Sequence, residues 1–282
     1  MDISADNYIS HNPHFCKSAL SRYTQWDFIG MVNDHHIPYH ERDLGKLFCD
    51  DSAKDILSML LNECYKVNAT VALDTHISSV DKDVKGFIVK TSSGTYQAES
   101  LVIASGGLSI PKMCASPFGY KIAEQFGHHI WPTSAGLVPF TLQPEDKSII
   151  EPLSGISIES NVSNERASFK ENILFTHRGL SGPAILQISS YWKPGEAISI
   201  DLLPDVELVS VITERQSNNP NTLLKTLLTE LLPKRVVPAL LDNKLIDKPL
   251  QALSRSVIQQ VSDAIKHWRS NPVAQKATVR PR

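Results

Sequence analysis

The sequence has few features that would place it in a membrane, outside the cell or around a metal. No window approaches the roughly 18 consecutive apolar residues of a membrane span, and residues 1–6 are acidic and polar, unlike a secretory signal. The four cysteines form no CxxC pair, which favours reduced thiols over a disulfide framework. The histidines show no HExxH or comparable ligand spacing, so we expect no metal site. We expect a cytoplasmic protein without a membrane partner.

The charge balance is close to neutral. The formal net charge is −2, from 28 basic and 30 acidic residues that are interspersed along the chain. Such a chain has no long-range field that would steer it to nucleic acid or anionic lipid. We therefore expect no nucleic-acid partner. With 282 residues, of which 41% are hydrophobic, the chain can form one large or two medium domains.

The first half of the chain contains several β-like patterns. Ser93 and Gly94 form a hairpin turn signal between two of them. Residues 101–104 are apolar throughout, as expected of a strand that is covered on both faces in a parallel sheet. The runs that precede this strand lie at about 70–80, 86–91 and 95–98. The order predicts a hairpin meander followed by a buried strand.

The second half changes character near residues 132–136. Between about 135 and 203, β-branched runs alternate with turns, which predicts a small antiparallel barrel or sandwich. A helix interrupts this region after Ser181-Gly182-Pro183. From about 222 to 268, leucine pairs recur at helical spacing and predict several helices with an apolar core face.

The turn Ala104-Ser105-Gly106-Gly107 is a candidate ligand site. It follows the apolar strand, and ligands of open α/β sheets bind at the carboxyl ends of the strands. Glycine suits this place because a Cβ atom would hold a flat cofactor or its pyrophosphate away from the backbone. A plain tight turn is an equally good interpretation of these four residues taken alone.

The chain as a whole resembles one family. Residues 106–112, 118–123, 137–139 and 175–184 are similar to the BaiN/YhiN-like flavoproteins, which are NAD(P)/FAD-dependent oxidoreductases and in part aminoacetone oxidase-like. The resemblance extends over residues 7 to 279, and residues 176–184 carry its most specific part.

This resemblance implies a fold and a cofactor. The fold is α/β, with an incomplete Rossmann-like FAD-binding domain that comprises a parallel sheet and a β-hairpin meander. An inserted domain of a small antiparallel β-barrel and helices interrupts it. FAD is expected to contact the backbone of Ala104, Ser105, Gly106 and Gly107, and its adenine side the backbone of Ile77. The flavin would exchange a hydride with a small-molecule substrate or with NAD(P)H as electron donor. The expected domains are residues 1–133, 134–270 and 271–282, the last being the return to the FAD domain.

Two departures from the family pattern leave an alternative open. The sequence contains no GxGxxG turn, which usually holds the pyrophosphate, and no closing glycine-rich segment. The alternative is a truncated, inactive chain that acts at most as a binding or assembly module, or one that pairs with a separately encoded piece. Cys114 replaces a residue that is typically glycine, and we interpret it as a tolerated substitution rather than a redox thiol.

His177, Arg178 and Ser181 form a second candidate site. Their segment is predicted to join a strand to a helix N-terminus, a junction that can bind an anion. Arg178 could hold a substrate carboxylate or a cofactor phosphate, and His177 could relay a proton. The alternative is that both side chains brace the inserted domain against the FAD domain.

Overall fold

The computed structural model describes residues 3–42, 45–109 and 115–275, so Cys114 lies outside the described residues. The chain divides into two compact units, Met1–Val102 and Ile103–Arg282. This division does not test the predicted domain boundary at 133, which stays a prediction.

The first unit combines three helices with two small antiparallel sheets. A two-stranded hairpin and a three-stranded meander make up these sheets. The meander forms where the sequence predicts it, and Gly94 begins its last strand after the turn. The elements are α1 Lys17–Arg22, α2 Gln25–Asp34, β1 Tyr39–Arg42, β2 Lys46–Cys49, α3 Lys54–Lys66, β3 Ile77–Asp83, β4 Gly86–Thr91 and β5 Gly94–Ala98.

The core of the first unit is thin. Its fully buried apolar side chains among the described residues are Val32, Met59 and Val80. Between α2 and α3, the imidazole of His35 lies 2.6 Å from the carboxylate of Glu63. Polar contacts therefore supplement a small apolar core in this unit.

The predicted buried strand at residues 101–104 is wrong. Residues 101–107 have no regular secondary structure, and the side chains of Val102 and Ile103 are 83% and 39% exposed. Apolar composition alone does not make a strand, because the backbone N–H and C=O groups of a strand need a neighbouring strand. The described residues supply none here. All strand pairings described are antiparallel.

The second unit is built around a sheet that closes on itself. Its strands are β6 Phe140–Leu142, β7 Ser157–Ser163, β8 Ser168–Thr176, β9 Gly179–Ser181, β10 Ile198–Asp201, β11 Trp268–Ser270 and β12 Pro272–Gln275. The order is β11-β10-β7-β8-β9-β6-β12. The two edge strands, β11 and β12, are separated in the chain by Asn271 alone. One continuous stretch therefore pairs with β10 on one side and β6 on the other, which closes the predicted small antiparallel barrel.

The barrel interior follows the period of two that the sequence contains. In β7, Ile158, Ser160 and Val162 are buried, while the residues between them are less so. Phe140 and Phe175 are among the largest fully buried side chains of this core. The core thus forms from alternate positions of strands that are distant in the chain.

Helices cover the barrel and extend its core. The buried apolar side chains of α8 are Leu224, Leu227 and Leu228, as the leucine spacing predicts. The helices of the unit are α4 Phe118–Gln125, α5 Pro144–Ile150, α6 Pro183–Ser189, α7 Leu208–Asn218, α8 Leu224–Leu231, α9 Val237–Leu240, α10 Asn243–Ile246 and α11 Arg255–Lys266. Within the described part of the chain, no helix combines the length and apolar character that a membrane crossing needs.

Candidate functional site

A pocket of about 640 Å³ lies in the second unit, next to the predicted glycine turn. This volume falls within the roughly 300–1,000 Å³ that is typical of ligand pockets. Three segments form its walls: the loop after Gly106, the helix α4, and the segment that leads into β6. The lining residues are Gly107, Leu108, Ser109, Tyr120, Thr133, Ser134, Ala135, Gly136, Leu137 and Val138.

Two glycines let the loop approach α4 closely. A Cβ atom on Gly119 of α4 would lie 2.9 Å from the Ser105 hydroxyl and 3.3 Å from Cγ2 of Ile103. A Cβ atom on Gly107 would lie 3.0 Å from the Tyr120 hydroxyl. All three distances are shorter than ordinary van der Waals contacts. The two glycines therefore set the distance between the loop and the helix.

The opposite wall is fixed to the barrel through α6. The backbone N–H of Leu137 donates to the Ser190 hydroxyl at 3.2 Å, and that of Val138 donates to the Ser189 hydroxyl at 3.0 Å. Ser189 is 1% exposed. Leu137 adopts a φ of +54°, which costs an L-residue roughly 1–2 kcal/mol. These two hydrogen bonds hold that conformation and so position the wall.

The walls are uncharged. Their polar side chains are the hydroxyls of Ser109, Tyr120, Thr133 and Ser134. The backbone of residues 103–109 makes no hydrogen bond to another described residue, so its N–H and C=O groups are available to a ligand. A wall of glycine backbone also leaves room where a Cβ atom would stand. The residues present therefore fit a flat, uncharged ring system such as that of a flavin.

The predicted cofactor residues do not all lie in this pocket. Gly107 lines it, while Ala104, Ser105 and Gly106 lie just before it in the same exposed loop. Ile77 begins β3 in the first unit, pairs with Thr91 and is 37% exposed. Contact of these five residues with FAD stays a prediction.

Sequence reasoning did not select Tyr120 or Leu137. Both lie in segments that carry the family resemblance, which is the signal that could have found them. Tyr120 lies in the first turn of α4, where the sequence shows only an ordinary amphipathic pattern. Its position beside Gly107 depends on tertiary packing. The hydrogen bonds of Leu137 likewise join residues 53 positions apart.

The second candidate site has a different geometry from the one predicted. His177 and Arg178 form the exposed turn of the β8–β9 hairpin rather than a junction between a strand and a helix. Ser181 lies in β9 opposite Leu174, and α6 begins only at Pro183. The chain reverses at Gly179, whose φ is +152° and whose Cβ atom would lie 2.1 Å from the Phe140 carbonyl oxygen. Glycine is required at this position, because the Cβ atom of any other residue would clash with that oxygen.

The titratable groups of the first unit are engaged in ordinary surface contacts. Hydrogen bonds from Lys66 and then from His35 lower the pKa of the Glu63 carboxyl. His40 lies 2.7 Å from Asp50. The described residues contain no group of three or more His, Cys, Asp or Glu side chains that could hold a metal ion.

Comparison with known proteins identifies the family. Residues 2–156 match the HI0933-like protein Rossmann domain, and residues 134–278 match the HI0933-like protein barrel and H2TH domain. The chain belongs to the HI0933-like family. The match confirms the predicted fold class, a Rossmann-type domain with a barrel and helical domain, and it places the chain in a Rossmann-type, flavin-binding family.

Three relatives of this chain have names that state an enzymatic activity. The chain is 51% identical over 267 residues to the ribosomal RNA dihydrouridine synthase of Escherichia coli. This alignment covers 94% of this chain and 67% of that protein. The chain is 43% identical over 278 residues to the protein of the same name from Haemophilus influenzae, covering 96% and 69%. It is 22% identical over 255 residues to the 3-dehydro-bile acid delta(4,6)-reductase of Clostridium scindens, covering 85% and 61%. The chain thus spans about two thirds of the length of the two more similar relatives.

These relatives correct one expectation and weaken one alternative. The exclusion of a nucleic-acid partner is wrong, because two relatives over 40% identical are named for a reaction on ribosomal RNA. Net charge is a property of the whole chain, whereas contact with RNA depends on where individual basic side chains lie. All three names denote enzymes, so an oxidoreductase-type role is favoured over an inactive binding module.

Proposed function

We propose that this chain is an FAD-dependent reductase that converts a uridine of ribosomal RNA to dihydrouridine. One observation carries the proposal: the 51% identity to a ribosomal RNA dihydrouridine synthase, which extends over 94% of the chain. An identity of this kind covers both the loop at Gly107 and the barrel, so it includes the whole pocket. The uncharged pocket supports the proposal because uracil is a flat, uncharged ring.

The reaction is the reduction of a carbon–carbon double bond that is conjugated with a carbonyl group. A hydride adds to C6 of the uracil ring, a proton adds to C5, and the C5=C6 bond becomes single. FAD supplies the hydride when it is bound and reduced, and NAD(P)H is the proposed source of the electrons. The delta(4,6)-reductase is by its name also a reductase, so the more distant relative supports the same reaction class.

The loop residues would hold the cofactor. We assign backbone contacts with FAD to Ala104, Ser105, Gly106 and Gly107, where N–H and C=O groups are unpaired among the described residues. Ile77 is assigned to the adenine side on the family resemblance alone. The wall formed by Leu137 and its neighbours would exclude water from the ring and fix its orientation.

Tyr120 is the proposed proton donor. Its hydroxyl lies on the pocket wall beside Gly107, and α4 carries it as a partly buried side chain. A phenol can donate a proton to a carbanionic carbon that develops in the transition state, a contribution of roughly 10²–10⁴-fold to the rate. The other hydroxyls of the pocket belong to Ser109, Thr133 and Ser134, which are weaker acids.

The test reconstitutes the purified chain with FAD and NADPH and adds ribosomal RNA that lacks dihydrouridine. We expect a yellow protein and a new dihydrouridine nucleoside, detected by mass spectrometry after digestion of the RNA. A protein that stays colourless with FAD would contradict the assigned cofactor. Consumption of NADPH without dihydrouridine would leave an FAD-dependent oxidoreductase but would refute the substrate.

A further inference from the structure

The turn between β8 and β9 presents two donor side chains on a rigid support. We propose that His177 and Arg178 bind the phosphate backbone of the RNA strand beside the target uridine, an inference that rests on the function proposed above. Both side chains are exposed. The turn lies in the second unit, as does the pocket.

Hydrogen bonds make the turn rigid. The Thr176 hydroxyl donates to the Gly179 carbonyl at 2.9 Å and accepts from the backbone N–H groups of Arg178 and Gly179 at 3.3 and 3.2 Å. The strands on both sides pair through Phe175 and Leu180. A rigid support reduces the conformational entropy that a binding side chain loses on contact with its ligand.

The neighbouring residues of this segment all have structural roles. Leu180 is fully buried, and Ser181 pairs with Leu174 in the barrel. Gly182 has a φ of +94°, and a Cβ atom there would lie 2.6 Å from the Asn172 carbonyl oxygen. Pro183 begins α6. Among the residues that the structure describes, the side chains of His177 and Arg178 form no hydrogen bond or ion pair.

The guanidinium of Arg178 has no counter-charge in the described part of the chain. It forms no salt bridge there, although Glu151 lies in a 3-10 turn that contacts β8. A guanidinium presents several N–H donors in a fixed plane and matches phosphate oxygens in pairs. His177 adds a ring N–H donor at the adjacent position. The turn therefore fits an anion that offers several oxygens, as an RNA backbone does.

The distance between the turn and the pocket favours a polymer. Val138 lines the pocket, and Thr141, three residues further along the chain and in β6, pairs with Gly179 beside the turn. Three residues of chain span at most about 10 Å. A uridine in the pocket would thus leave flanking nucleotides of the same strand within reach of the turn, whereas a free nucleoside carries no phosphate for the turn to bind.

The experiment measures RNA binding separately from turnover. The full chain and its variants are titrated with a fluorescein-labelled oligouridylate of roughly 12 nucleotides at several salt concentrations, and binding is followed by fluorescence anisotropy. We expect Arg178→Ala to weaken binding by roughly three- to tenfold and to reduce the salt slope by about 0.7. Arg178→Lys keeps the charge, so we expect it to retain the salt slope and most of the RNA affinity of the unmodified chain.

Arg255→Ala is the matched control. Arg255 is exposed at the start of α11, and its loss changes the net charge by the same amount. Binding that falls equally in both alanine variants, falls in neither, or is absent in the unmodified chain would overturn the inference. Melting temperatures and flavin spectra are compared to confirm that the variants fold alike. Dihydrouridine formation is assayed separately, so loss of the reaction with intact, Arg178-dependent RNA binding would overturn only the proposed function.

Discussion

The hydroxyl of Tyr120 lies 3.0 Å from the point that a Cβ atom on Gly107 would occupy. A Cβ atom at position 107 would therefore press on the Tyr120 hydroxyl. This contact joins the residue to which we assign cofactor binding with the residue to which we assign proton donation. A change at either position is expected to affect the pocket without disturbing the barrel.

Replacement of Gly107 by alanine tests the glycine wall. Gly107 does not adopt a positive φ, so its backbone tolerates alanine, and the added methyl group must displace the Tyr120 hydroxyl or the ligand. We expect FAD affinity to fall by about tenfold, or roughly 1.4 kcal/mol, in a titration followed by flavin absorbance. Gly30→Ala in α2 is the control, because a Cβ atom there meets nothing within 4 Å. It is expected to raise stability by about 0.5–1 kcal/mol and to leave FAD affinity unchanged.

Replacement of Tyr120 by phenylalanine removes the proposed proton donor but keeps the ring. We expect the rate of dihydrouridine formation to fall by roughly 10²–10⁴-fold while FAD affinity stays unchanged. Single-turnover kinetics with ribosomal RNA measure this step directly. Tyr191→Phe is the control, since Tyr191 packs on Phe169 away from the pocket lining. Equal rates for the Tyr120 variant and the unmodified chain would assign the proton to another group.

Local patterns of the sequence account for much of the second unit. Alternation predicts the inward positions of β7, such as Ile158 and Val162, and helical spacing predicts the buried face of α8. Closure of the barrel through Asn271 could not be predicted, because it joins strands that are far apart in the chain. The apolar run around Val102 gave a wrong strand, because composition does not specify a pairing partner.

The same distinction applies to the candidate site. The glycine pattern of residues 104–107 selects Gly107 as a candidate site residue, and Gly107 lines the pocket. Tyr120 and Leu137 were missed because their roles depend on contacts with Gly107 and Ser190 that no local pattern encodes. The family resemblance predicted the flavin. The near-neutral net charge led to the wrong exclusion of nucleic acid, since net charge does not report where individual basic side chains lie.

Two salt bridges of the second unit are expected to differ in their contribution to stability. The ammonium of Lys266 lies 2.9 Å from the Asp201 carboxylate and donates to the Leu203 carbonyl at 2.6 Å. The Lys266 side chain is 13% exposed and the Asp201 side chain 20% exposed. Lys266→Met should cost about 2 kcal/mol, because it leaves a partly buried carboxylate without its partner.

The matched comparison is Lys170→Met. Lys170 pairs with Asp205 at 2.6 Å, but these side chains are 45% and 71% exposed, so solvent screens the pair. We expect a loss below about 1 kcal/mol. Urea unfolding followed by tryptophan fluorescence gives both free energies. A larger loss at Lys170 than at Lys266 would contradict the role assigned to burial.

The acid stability of the first unit is expected to depend on Glu63. Hydrogen bonds from Lys66 and His35 lower the pKa of this carboxyl from its usual 4.5 in the folded chain. A carboxyl whose pKa is lowered by folding stabilises the fold above its unfolded pKa, and this contribution is lost as the pH falls through the folded pKa. Glu63→Gln should therefore lower the urea midpoint, followed by circular dichroism, at pH values above about 4.5. The difference from the unmodified chain should shrink below that pH. Glu99→Gln, which removes a carboxylate without an ion pair in the described chain, should show no such pH-dependent difference.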